Sequence, residues 1–436
     1  MVIEQLYNLY LQHPVISTDT RKITPGSLFF ALKGDKFDAN TFAAQALEAG
    51  AAYAIIDNAQ YRVSEQYVLV DDVLSTLQDL ARYHRKQLQI PVIGLTGSNG
   101  KTTTKELINA VLSQQFNTLA TTGNLNNHIG VPLTVLSINN THEIAVIEMG
   151  ANHQKEIELL CSIAQPTHGL ITNVGKAHLE GFGGIEGVKK GKGELYDYLK
   201  ATEGTVFVNA NSPELVLMQE ERHLENVIYY GTRSFLDSID AILIQNAPYL
   251  ALKWTVKGAE ADEYQITTQL TGQYNLPNIT AAICIGHHFK LSPQQINTGI
   301  AGYHPQNNRS QIVKTEGNTL ICDYYNANPS SMLVALDNLN KMQAQHKVMI
   351  LGDMFEMGPE AAAEHEAIVE AALVIRADEH IFIGSEFFNQ RTDHRGTYYE
   401  TAEDAITAIR AKPVTNATVL IKGSRGMALE RLVPLF

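Results

Sequence analysis

The chain is poor in cysteine, modest in charge and free of long apolar runs. Its 436 residues include three cysteines, Cys161, Cys284 and Cys322, each in an apolar or strand-like setting. Such scattered cysteines exclude a disulfide framework and read as reduced packing residues. No apolar stretch approaches the roughly 18 residues of a membrane-spanning helix. The N-terminus, M-V-I-E-Q-L-Y-N-L-Y-L, carries Glu4 and lacks a basic n-region, so it reads as an amphipathic helix rather than a secretory signal. Charged residues make up 18% of the chain and their balance is acidic, with a formal net charge of −13. A nucleic-acid-binding surface normally needs a basic face, so that class is disfavoured. Anionic substrates would have to be held by local loops and metal ions. The N-K-x-D signature of GTPases is also missing.

What is present suits an enzyme of about three domains. Hydrophobic residues form 44% of the chain, enough for a substantial core. The most informative segment is P-V-I-G-L-T-G-S-N-G-K-T-T-T-K-E, Pro91 to Glu106. The apolar run Val92–Leu95 reads as a buried strand, Thr96–Gly100 as a glycine-rich turn, and the pattern from Lys101 to Leu112 as a helix. Strand, loop and helix in that order make a phosphate-binding P-loop. Thr96, Gly97, Ser98, Asn99, Gly100, Lys101, Thr102 and Thr103 are therefore the candidate nucleotide contacts. The amides opening the helix would face an anion. Lys101 would reach the β- and γ-phosphates, and Thr102 would hold magnesium. The loop departs from G-x-x-x-x-G-K-T, because Leu95 stands where the first glycine belongs.

Alternating strands and helices predict a mostly parallel, doubly wound central sheet. Residues 1–88 form a small first α/β unit, with Arg85–Gln89 as a polar linker. Residues 89–303 form the central unit, in which the β-rich stretch 226–270 could be an antiparallel edge. Residues 304–436 form a third, Rossmann-like α/β unit.

Other strand ends carry chemistry. Glu148, closing A-V-I-E, is a candidate magnesium ligand or an ordinary exposed strand-end glutamate. His178, in N-V-G-K-A-H, could ligate a metal or contact a phosphate, or could be a surface loop histidine. In C-D-Y-Y-N-A-N-P-S-S-M, Asp323 and Asn326 could bond a ribose or an adenine edge, while Asn328-Pro329-Ser330 reads as helix initiation. Lys422 and Arg425, in I-K-G-S-R-G-M, would suit a carboxylate or phosphate, or a surface turn.

Together these segments resemble the Mur ligases, and the loop spacing T-G-S-N-G-K-T is shared by that family and the folylpolyglutamate synthetases. The matching motifs run from Ser17 to Arg425. The resemblance implies a uridine-nucleotide site in S-T-D-T-R-K-I-T-P-G-S-L-F-F-A-L-K-G, with Ser17, Thr18, Arg21 and Lys33 as contacts. It implies substrate contacts at Asn126 and Asn127 in T-G-N-L-N-N-H-I-G-V-P-L, and adenine or nucleotide contacts at Asn278, Arg309, Asp323 and Asn326. It implies ATP as cosubstrate and two magnesium ions, held by Thr102, Glu148, His178 and a carbamate on Lys192. Lys101, His178 and Lys192 would carry the catalysis. The third unit, with Y-N-A-N-P, L-G-D-M-F-E-M-G and K-G-S-R, resembles the members that add D-alanyl-D-alanine to UDP-N-acetylmuramoyl-tripeptide. There Lys422 or Arg425 would pair with a substrate carboxylate. The members that add a diamino acid to the UDP-muramyl dipeptide carry D-N-P-R, which is absent here. A non-catalytic ATP switch is the rival from another class. The resemblance further implies a cytoplasmic monomer. Cys322, Tyr324, Ser310 and Gln311 depart from the family pattern around the third-unit motifs.

Overall fold

A computed structural model describes residues 2–232, 238–257, 262–391 and 395–436. The chain folds around three main sheets in sequence order. The first holds four parallel strands in the order Ile16–Ser17, Leu28–Phe30, Tyr53–Ile56 and Tyr67–Leu69. Helices Ile3–Gln12 and Val73–Gln87 pack against each other, and the second of them continues beyond the first sheet to join it to the next unit.

That second helix corrects one expectation. Arg85–Gln87 is its last turn, not a linker. Asp72 caps it by accepting from the Ser75 amide at 2.6 Å, and basic residues in the last turn complement the helix dipole. Its apolar face (Val73, Leu77, Leu80, Ala81) recurs at helical spacing. Arg85 is buried and donates to the carbonyls of Leu88 (2.9 Å), Ile90 (3.4 Å), Ala164 (3.0 Å) and Gln165 (3.1 Å). The residues look polar in sequence because the guanidinium satisfies backbone carbonyls rather than water.

The central sheet has nine strands. From one edge they are Tyr264–Thr267, Ala251–Val256, Ile239–Gln245, Val227–Gly231, Thr205–Asn209, His168–Ile171, Val92–Thr96, Ile144–Glu148 and Thr118–Ala120. The pairings from Ile239–Gln245 to Thr118–Ala120 are parallel. Only the two strands beyond Ile239–Gln245 are antiparallel, so the expected antiparallel edge starts later than residue 226. Residues 233–237 and 258–261 of that stretch lie outside the described residues. Val92–Thr96 and Ile144–Glu148 are buried along their whole length, as strands covered on both faces must be. Helices Lys101–Leu112 and Leu276–His288 cover one face, and Glu156–Ala164 and Ile185–Ala201 the other.

The third sheet has six strands in the order Gln311–Lys314, Asn318–Asp323, Ala417–Lys422, Lys347–Gly352, Glu379–Ile383 and Thr397–Tyr399. All its pairings are parallel except that of the Gln311–Lys314 edge. The three cysteines are buried and free. Among the described residues no helix is long and apolar enough to cross a membrane.

Candidate active site

In an open parallel sheet the ligand crevice lies beyond the carboxyl ends of the strands, where the strand order reverses. Val92–Thr96 sits at that point, between Ile144–Glu148 and His168–Ile171. The loop after it runs Gly97 to Gly100 and enters helix Lys101–Leu112. Gly100 has φ +76°, and a Cβ there would lie 2.8 Å from Asn278 Oδ1, so the turn and the close approach both demand glycine. Asn278 is itself held, donating to Asn275 Oδ1 at 3.0 Å.

The loop is pinned from the neighbouring strand end. The Asn99 amide donates to Asn173 Oδ1 (3.0 Å), and Asn173 Nδ2 donates to the Asn99 carbonyl (2.9 Å). Ser98 Oγ donates to the Gly175 carbonyl at 3.0 Å. Lys101 turns its ammonium back onto the carbonyls of Gly97 (2.7 Å) and Ser98 (3.3 Å). Burial pulls its pKa down to about 8, against the pull of Glu148 and with a small push from Arg309. A phosphate in the loop would offer this cation a stronger partner than two carbonyls.

Glu148 is 1% exposed, which removes the reading of an exposed strand-end residue. Its Oε1 accepts from Asn126 Nδ2 (2.8 Å) and Thr102 Oγ1 (3.3 Å), while Oε2 is buried without a partner. A buried carboxylate oxygen left bare is costly unless a cation joins it. Magnesium favours this donor set, because it takes one or two carboxylates and fills its shell with water and phosphate. No cluster of three or more His, Cys, Asp or Glu side chains suited to a metal occurs among the described residues.

Lys192 lies on helix Ile185–Ala201, 1% exposed, and donates to the Ala151 carbonyl at 3.1 Å. Its ammonium lies 4.9 Å from the Phe182 ring centroid. Burial and then the Lys101 charge push its pKa well below the usual lysine value. His178 precedes the short helix Leu179–Phe182 with φ +53°, and its Nδ1 contacts the Glu356 carboxylate of the third unit. It is thus an interdomain contact rather than a free loop side chain.

The third unit supplies the opposite wall. Asn328 caps helix Pro329–Lys341 in a capping box, as its sequence suggests, and also donates to Asn99 Oδ1 at 2.8 Å. Arg309 lays its guanidinium 4.0 Å from the Tyr325 ring centroid. Asp323 is held on both oxygens, by the Ser310 amide (3.1 Å) and by Lys422 Nζ (2.7 Å). Lys422, read as a carboxylate hook for substrate, is thereby committed to Asp323 and to the Asn326 carbonyl (3.2 Å).

Ser98, Asn99, Gly100, Lys101 and Thr103 line one cavity of about 810 Å³ together with Asn126, Asn127, Glu148, His178, Asn278, Arg309, Asp323, Asn326 and Lys422. Thr102 lies directly beneath Glu148. The first-unit candidates stand apart. Ser17, Thr18, Arg21 and Lys33 do not line this cavity. Arg21 pairs with Asp19 at 2.7 Å and Lys33 with Asp57 at 2.8 Å. Arg425 is exposed and also outside the lining, 5.2 Å from the Tyr325 ring centroid. Asn173, Glu356 and Tyr274 were not singled out from sequence. Asn173 was discoverable as the polar residue just past a central strand, in the same motif as His178.

Comparison with known proteins fits this architecture. Three family models match in succession: the Mur ligase family catalytic domain over residues 14–85, the Mur ligase middle domain over 95–286 and the Mur ligase glutamate ligase domain over 308–425. The UDP-N-acetylmuramoyl-tripeptide–D-alanyl-D-alanine ligase of Bacillus subtilis (strain 168) is 34% identical over 430 residues, covering 96% of this chain and 92% of the relative. The chain belongs to the Mur ligase family. The ligase of the same name from Escherichia coli (strain K12) is 35% identical over 422 residues, with the same coverage of 96% and 92%. Among solved structures, a MurF crystal structure from Acinetobacter baumannii superposes with a TM-score of 0.88 at 29% identity, covering 99% of this chain and 98% of that one. MurF from Thermotoga maritima in complex with ADP gives a TM-score of 0.85 at 25% identity, with 98% of each chain covered. The three-domain α/β arrangement of this Mur ligase is therefore the family's own, from the first sheet to the last.

Proposed function

We propose that the protein is an ATP-dependent, amide-bond-forming ligase that adds D-alanyl-D-alanine to UDP-N-acetylmuramoyl-tripeptide in peptidoglycan precursor synthesis. The observation that carries this is the shared cavity. The phosphate loop, a bare buried carboxylate and a third-unit wall face one another across a space large enough for a nucleotide and a peptide end. The full-length likeness to ligases of that name supports the substrate assignment.

Bound ATP would supply a terminal phosphoryl group. Its transfer to the substrate carboxylate would leave ADP and an acyl phosphate, and the incoming amine would then attack the acyl carbon and release inorganic phosphate as the amide bond forms. The chain's own residues position and neutralise. The loop amides and Lys101 hold the phosphates, so charge that builds during transfer meets a fixed cation. Thr102 and Glu148 would hold a magnesium ion, and His178 with a carbamate on Lys192 would serve a second. Asn278, Arg309, Asp323 and Asn326 would hold the nucleoside, while Ser17, Thr18, Arg21 and Lys33 would hold the uridine end at the first sheet. Arg425, exposed at the third unit's loop, would pair with the dipeptide carboxylate. The third-unit wall excludes water from the reactive acyl group. We assign domains to residues 1–88, 89–303 and 304–436, each containing one of the three main sheets, and place the enzyme in the cytoplasm as a monomer.

The test is phosphate release with ATP, magnesium and UDP-muramyl tripeptide across a panel of amines. D-alanyl-D-alanine should be strongly preferred over diaminopimelate, lysine and D-alanine. Preference for a free amino acid on a dipeptide-stage acceptor would overturn the assignment.

A further inference from the structure

We propose that Tyr274 and Ser310 are a positioning pair for the nucleotide site: their hydroxyl contact ties the central unit to the third and sets the Asp323 carboxylate against the bound nucleoside. The inference rests on reading the cavity as a nucleotide site.

The segment joining the central and third units ends in an unusual turn. Asn308 and Ser310 both have positive φ, +56° and +52°. Non-glycine residues adopt that region at a cost, and two such residues flanking Arg309 indicate a backbone held in place by its surroundings. Ser310 is 6% exposed and is gripped at two points. Its Oγ lies 2.5 Å from the Tyr274 hydroxyl, and its amide donates to Asp323 Oδ1 at 3.1 Å. One residue thus connects a central-unit hydroxyl to a third-unit carboxylate whose other oxygen is fixed by Lys422 at 2.7 Å.

The far side of the contact is prepared as well. Tyr274 follows Gly272, whose φ is +85°, and a Cβ at Gly272 would lie 2.2 Å from Tyr274 Cε1, so any side chain there would displace the ring. The same turn makes a second link to the third unit, where Asn338 Nδ2 donates to Thr271 Oγ1 at 3.3 Å. It also leads into Asn275 and Asn278, on the cavity floor against the phosphate loop. A single turn therefore touches the floor of the nucleotide site and, through Tyr274 and Ser310, the carboxylate on its opposite wall.

The experiment uses the intact chain with Tyr274→Phe, Ser310→Gly and the double variant. Glycine at 310 removes the hydroxyl and relieves the positive φ, so backbone strain cannot account for any loss. ADP with magnesium is titrated calorimetrically into each, and KM for ATP and kcat are measured beside KM for the UDP-muramyl substrate. Each single variant should weaken ADP binding and raise KM for ATP by roughly three- to tenfold, the range of one hydrogen bond. KM for the UDP-muramyl substrate should stay unchanged, and the double variant should be no worse than the weaker single. If wild-type chain binds ADP but the variants bind it equally well, or if the two losses multiply, the positioning role is overturned while the nucleotide reading stands. If wild-type chain binds no ADP, both fall. Lower thermal stability with unchanged ADP affinity would also overturn the proposal, since it would mark the contact as merely structural.

Discussion

Lys192 is an amine kept where an ammonium is disfavoured. Burial comes first among the causes, and the Lys101 charge adds to it. A neutral amine is the form that adds to carbon dioxide, giving a carbamate and releasing one proton, so this environment favours the modification that the family resemblance implies. Protein equilibrated with ¹³C-bicarbonate should show a carbamate resonance that disappears in Lys192→Ala. That variant should be nearly inactive and partly restored by acetate or formate. Full activity in the alanine variant, with no resonance in wild type, would rule the carbamate out. Lys101 allows a plainer expectation. Its cation has only the loop carbonyls of Gly97 and Ser98 to hold it until a phosphate arrives. Lys101→Ala should lower turnover by at least about 10²-fold while far-UV circular dichroism and thermal unfolding stay near wild type. A folded variant with normal turnover would remove the phosphate-loop assignment. At this scale the sequence was most legible where the geometry is local, as at Gly100, whose positive φ opens the helix that begins at Lys101. It was least legible where a partner comes from far along the chain. Lys422 reads as a free cation beside glycines, and only the parallel pairing of Asn318–Asp323 with Ala417–Lys422 brings it to Asp323.

Secondary-structure elements were legible where burial is two-sided or periodic. Strands Tyr53–Ile56, Ile144–Glu148 and Thr205–Asn209 and helix Lys101–Leu112 begin and end where their patterns do. The edge strands Gln311–Lys314 and Thr397–Tyr399 carry mixed, half-exposed side chains and give no such signal. The end of helix Val73–Gln87 was hidden for a different reason: Arg85 in its polar last turn is buried against carbonyls of another unit, while Lys86 and Gln87 stay exposed. Replacing Arg85 with Met keeps the volume and removes every donor to the carbonyls of Leu88, Ile90, Ala164 and Gln165. The expected loss is about 2–4 kcal/mol, because buried carbonyls are left unpaired. It should be read as a lower denaturation midpoint in urea. A midpoint equal to wild type would mean that water replaces the guanidinium without cost.

Across the whole molecule, the third unit meets the central one through side-chain bonds that include Tyr274–Ser310, Asn338–Thr271, Asn99–Asn328 and the His178–Glu356 contact. They also include an ion pair between Lys176 and Glu364, with Lys176 half-exposed and Glu364 mostly covered. Exposed pairs contribute about 0–1 kcal/mol, so truncating Lys176 should change little. Reversing one charge is more informative. Glu364→Lys sets like charges opposite each other and should favour an open arrangement, seen as a larger radius of gyration in small-angle X-ray scattering. Adding Lys176→Glu should return it to the wild-type value. An unchanged radius in the single variant would show that the pair has no part in closure.

The first unit is attached quite differently. Helix Val73–Gln87 lies along the central unit, His84 Nε2 meets the Ile138 carbonyl at 2.8 Å, and Gln78 donates to the His128 carbonyl at 3.0 Å. Two parts joined this way would act as the fixed jaws of a caliper. A substrate gripped by its nucleotide on the first sheet would have its reacting carboxylate measured off against the phosphate loop. Each peptide residue removed would shorten its reach by at most about 3.3–3.6 Å, so the molecule would judge how far the stem peptide has grown by length before any side chain is recognised.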